Sequence, residues 1–122
     1  MFSDSIFNQD IGSWNVSKVT NMESMFNGSV FNKDICFWNV SNVTNMRSMF
    51  NHSEFNKEIG TLDVSKVTDM EYMFSNSLFN QDISKWNVEN VVNMRFMFYK
   101  SKFNKKLNSW KINPNCNTFK II

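Results

Sequence analysis

The side chains best suited to chemistry are few and scattered. His52 is the only histidine, and no Ser or Cys can be assigned to it as a nucleophile partner. Catalysis needs a unique constellation, so His52 reads as a surface residue. Cys36 and Cys116 lie far apart, are not a CxxC pair and have no His beside them, which is neither a zinc pattern nor a redox motif. Acids recur at Asp10, Asp34, Glu58 and Asp82, with Lys33 and Lys57 next to two of them. A hard cation needs convergent oxygen ligands, and a row of single acids shows no convergence. With 3 Gly in the chain, a glycine-rich phosphate loop is excluded. The expectation is a non-enzyme with no catalytic residue, no metal site and no cofactor.

The interval between those acids is the main feature of the chain. Units begin at Met1, Met25, Met49, Met73 and Met97 and span 1–24, 25–48, 49–72, 73–96 and 97–122. Numbering each unit from 1 to 24, position 2 is always Phe, position 7 is always Phe, and position 14 is Trp except at Leu62. A fixed period with recurring apolar positions marks stacked repeats, each too small to bury its own apolar side. The last unit decays around Pro114 and reads as a degenerate capping unit, making 1–122 a single solenoid domain. The first unit opens in register, so either translation starts at a motif Met or the chain is part of a longer array.

Local spacing suggests what each unit contains. Val67, Met70, Met73 and Phe74 fall at i, i+3, i+6, i+7, which predicts a short helix or 3-10 turn capped by Ser65 or Asp69. Phe79, Gln81 and Ile83 share one parity, which predicts a short strand around Gln81 to Lys85, bending before Trp86. The fold class expected is an α/β repeat solenoid of about five 24-residue units, each a short parallel strand plus a short helix or 3-10 turn. Asn8, Asn32, Asn56, Asn80 and Asn104 occupy position 8, where an amide can bond both a corner and the neighbouring coil; they are expected to form a structural ladder.

Charge and hydropathy exclude several partners. The formal net charge is +2 with both signs interspersed, which gives no basis for nucleic-acid binding. No apolar run reaches the length of a spanning helix, so no membrane insertion is expected, and the first twenty residues lack the apolar core of a signal peptide. What varies between units is the candidate interaction face: position 9 (Gln9, Lys33, Lys57, Gln81, Lys105) and position 13 (Ser13, Phe37, Thr61, Lys85, Ser109), with Phe37 the only large apolar residue among them.

The segments FNKDICFWNVSNVTNMRSMF (Phe31 to Phe50) and FNQDISKWNVENVVNMRFMF (Phe79 to Phe98) resemble the BspA-like surface-protein repeats, also found in mycoplasma lipoprotein-type proteins of unknown function. The pattern covers residues 1 to about 112. The resemblance implies a leucine-rich-repeat-like right-handed coil, a cell-surface or secreted setting, and adhesion or protein binding. The chain departs from it in lacking a signal peptide, a lipobox cysteine and the LxxLxLxxN strand motif. Two functions stay open: a module binding a protein partner through the strand face, or a structural spacer or array that self-associates end to end through its N-terminal coil.

Overall fold

The computed structural model describes residues 1–122. It has no helix and no sheet. Regular pairing is limited to isolated parallel bridges, Asn21 to Asn45, Asn45 to Asp69, Asp69 to Asn93 and Asn93 to Asn117. The expected α/β solenoid of strand-plus-helix units, and with it the leucine-rich-repeat-like coil, is thereby overturned.

The predicted helix at Val67–Phe74 fails on its backbone bonds. The N–H groups of Met70, Tyr72, Phe74 and Asn76 donate to the carbonyls of Asn93, Arg95, Met97 and Tyr99, one unit further on, at 2.8–3.0 Å. An α-helix would send them four residues back. Between them, Met73 N–H donates to Met70 O and Ser75 N–H to Tyr72 O, closing successive tight turns. Tyr72 and Asn76 have φ of 57° and 54°, which a right-handed helix does not admit. Consecutive three-residue steps therefore give the same inward spacing as a helix, with every second N–H left to reach the next unit.

The predicted strand at Gln81–Lys85 fails because side chains take its donors. Asn80 N–H goes to Asn56 Oδ1 (2.8 Å) and Ser84 N–H to Asp82 Oδ1 (2.9 Å). Ser84 and Lys85 then form a turn closed by Trp86 N–H on Ile83 O (3.1 Å). The same turn closes at Trp14, Trp38, Leu62 and Trp110, and a second one follows at Val19, Val43, Val67 and Val91.

The Asn, Asp and Ser content now has a cause. These side chains accept from the N–H two residues on, a local bond that competes with helix and sheet. Ser29, Ser53 and Ser77 do so for Phe31, Phe55 and Phe79. Asn39 and Asp63 serve Ser41 and Ser65, so Ser65 sits in a turn rather than capping a helix. Asn45, Asp69 and Asn93 serve Arg47, Glu71 and Arg95.

Inside, like lies over like. Phe26, Phe50, Phe74 and Phe98 form one column with ring centroids 5.6–5.7 Å apart. Phe31, Phe55, Phe79 and Phe103 form a second at 6.2–6.3 Å. Within a unit the columns touch at 4.3–4.5 Å. Such offset ring packing adds about 0.5–1.5 kcal/mol per pair beyond burial. Each buried Trp indole finds a carbonyl: Trp38 Nε1 donates to Ile11 O, Trp86 Nε1 to Ile59 O and Trp110 Nε1 to Ile83 O, all at 3.0 Å. Buried side-chain nitrogen and oxygen atoms find partners with one exception, Asn51 Oδ1.

Candidate functional site

The outer side of positions 9 to 13 is where the packing repeated from unit to unit stops and differences between units begin. Phe37 stands 91% exposed at the centre of it. Two shallow hollows meet at its ring. One is lined by Asp10, Gly12, Ser13 and Asp34, the other by Cys36, Glu58, Gly60, Thr61, Gln81, Asp82 and Lys85. A third, wholly polar, continues past Gln81 and Asp82 to Lys105, Lys106 and Ser109. Phe37, Thr61, Gln81 and Lys85 thus share one hollow, and Gln81 links it to Lys105. Gln9, Lys33 and Lys57 are exposed but line none of the three.

Two of these residues also serve the stack. Gln81 Nε2 donates to Asn56 O and Oδ1, both at 3.1 Å, and Thr61 Oγ1 to Cys36 O at 3.4 Å. The position 8 amides run beneath: Asn8, Asn32, Asn56 and Asn80 each accept, through Oδ1, the N–H of the next one down to Asn104, at 2.8–3.0 Å. These five hold the backbone from which the face projects.

The acids of the face are turn formers. Asp10, Asp34 and Asp82 accept the N–H of Gly12, Cys36 and Ser84. The Cys36 N–H holds the Asp34 carboxyl below its usual range, and the Ser84 side chain does the same for Asp82. No three His, Cys, Asp or Glu side chains come together in a metal-binding cluster. Both cysteines are free. The Asp34 carboxylate pushes the Cys36 thiol up, and burial pushes up Cys116, away from the thiolate that nucleophilic or metal chemistry uses. His52 sits at φ 55°, where the neighbouring units place Gly28 and Asn76, a region His enters more readily than most residues.

Residues 1–77 and 28–121 match the family described as "Mycoplasma protein of unknown function, DUF285". The chain belongs to that family. Overlapping matches of this kind are what a repeated unit produces. No curated protein and no solved structure matches the chain.

A second outer feature was hidden by the near-neutral total charge. All 11 acids fall in residues 1–89, whereas residues 90–122 hold Arg95, Lys100, Lys102, Lys105, Lys106, Lys111 and Lys120 and no acid. Counting charge by unit, rather than over the whole chain, exposes this segregation. At the boundary, the buried Glu71 carboxylate lies 3.5 Å from Arg47 and 3.8 Å from Arg95 and accepts Asn93 Nδ2 at 2.6 Å. No helix is long and apolar enough to cross a membrane.

Proposed function

We propose that the chain is a non-catalytic module that binds a protein partner through the outer face of positions 9 to 13, with Phe37 as the anchor. The exposed Phe37 ring between two hollows carries this reading, because a large aromatic set in solvent among polar neighbours is a typical interface hot spot. Glu58, Thr61, Gln81 and Lys85 form its polar surround. The likeness of the repeats to BspA-like surface proteins supports adhesion at a cell surface as the setting. Capture of a partner from host-cell extract by Phe37→Ala and by Lys57→Glu tests it. A loss of capture by Phe37→Ala is expected; unchanged capture by both variants ends the proposal.

Copies stacking end to end are a second reading, favoured by apolar hollows in the first and last units of this chain. Leu107, Ile112, Ile121 and Ile122 line one, and Met1, Trp14 and Val19 line the other. Trp14 is 43% exposed, and its indole lacks the carbonyl that Trp38, Trp86 and Trp110 each find. Sedimentation showing only monomer at high concentration would remove this reading.

A further inference from the structure

Left-handed backbone recurs at two positions of every unit. One holds Ser24, Ser48, Tyr72, Phe96 and Lys120; the other holds Asp4, Gly28, His52, Asn76 and Lys100. Gly, Asn, Asp and His enter this region readily, whereas a bulky aromatic there is strained. Strain of this kind persists where the surroundings enforce it, and it clusters at ligand clamps. Tyr72 and Phe96, at φ 57° and 56°, stand where the first two units place serine.

Their rings are half-buried and pack with two others, Tyr99 and Phe119. Tyr72 stacks on Phe96 at 4.9 Å, and Phe96 meets Tyr99 and Phe119 edge to face at 5.3 and 5.7 Å. Phe119 is 54% exposed. Cations surround them. Lys100 Nζ lies 5.4 Å from the Tyr99 ring centroid, and Lys120 Nζ lies 5.9 Å from Tyr99 and 5.8 Å from Phe119. Lys100 and Lys120 form no ion pair, and no Asp or Glu side chain follows Glu89. The patch shares no residue with the hollows around Phe37.

We propose that this patch is a second binding surface, for an acidic segment of a partner protein that carries an apolar side chain beside its carboxylates. Uncompensated ammonium groups call for carboxylates, and the exposed Phe119 ring gives an apolar neighbour somewhere to pack. A single-stranded nucleic acid fits less well. It holds on by stacking bases on ring faces, and here Tyr72 and Phe96 cover each other while ammonium groups sit over Tyr99.

The test uses the 122-residue protein and its Lys100→Gln/Phe119→Ser double variant, which removes one ammonium and the exposed ring. A synthetic peptide of repeating Glu-Glu-Phe is titrated into each at low salt. Oligo-Glu, oligo-dT and anionic phosphatidylserine vesicles are titrated in parallel. The peptide is expected to bind the parent about tenfold more tightly than the double variant and more tightly than oligo-Glu, with affinity falling as salt rises. Both side chains are exposed, so the Tm of the variant should match that of the parent. Equal peptide affinity for both proteins overturns the proposal. So does tighter binding of oligo-Glu, oligo-dT or the vesicles.

Discussion

At the scale of the residue, constant positions are explained by what they touch. Phe55 is fully buried between Phe31 and Phe79 and against Phe50. Phe55→Ala should cost about 3–5 kcal/mol, read as a fall in thermal midpoint. Trp86→Phe puts a smaller ring in a buried site and takes one of the two donors, the indole and the Leu62 N–H, from Ile59 O, and should cost about 1–3 kcal/mol by denaturant titration. Acid dependence follows from the turn carboxylates. Asp34 is lowered chiefly by the Cys36 backbone N–H, and Asp63 and Asp82 chiefly by the side chains of Ser65 and Ser84. A folded value below the unfolded one means that the unfolded chain takes up protons first. The contribution is therefore complete above the ordinary carboxylate value of 3.8 and is lost as pH falls through the lower folded value. These groups are almost fully exposed, so solvent keeps the effect small. The triple variant Asp34→Asn, Asp63→Asn, Asp82→Asn keeps the turn acceptors. Its urea midpoint should decline less between pH 7 and about pH 3 than that of the parent.

At the scale of the element, the sequence revealed the period and misled about the local structure. The 24-residue spacing of Phe, Trp and Met was legible because a column of identical side chains tolerates little change. The i, i+3, i+6, i+7 run of Val67, Met70, Met73 and Phe74 was misread because chained tight turns turn the same residues inward as a helix does. The better signal was polar. Ser, Asn or Asp stands two residues before a donor at four places in most units, and each place is a side-chain-closed turn. Position 8 of the repeat suits its row of amides, since each Asn bonds the next unit's backbone. Asn56→Ala strips Asn80 N–H of its acceptor and Gln81 of one of its two, and should cost about 1–3 kcal/mol. Asn56→Asp keeps the acceptor oxygen, and its loss in a melt should be well under that of the alanine variant.

At the scale of the whole molecule, the chain is a stack of turns in which inward positions are nearly invariant and outward ones differ from unit to unit. Repetition explains why the site was only partly legible. Phe37 stands out in the sequence as a break in its row, whereas the aromatic cluster at Tyr72, Phe96, Tyr99 and Phe119 draws on different repeat positions and needed the structure to assemble it. With no helix present, far-UV circular dichroism should lack the helical double minimum; a clear double minimum would contradict the fold. The proposed function divides residues that build the stack from those that bind. A titration of captured host partner against the parent and Phe37→Ala tests that division most directly. The prediction is at least a tenfold loss of affinity, roughly 1.4 kcal/mol, in a variant that still melts like the parent. Unchanged affinity in Phe37→Ala would contradict it.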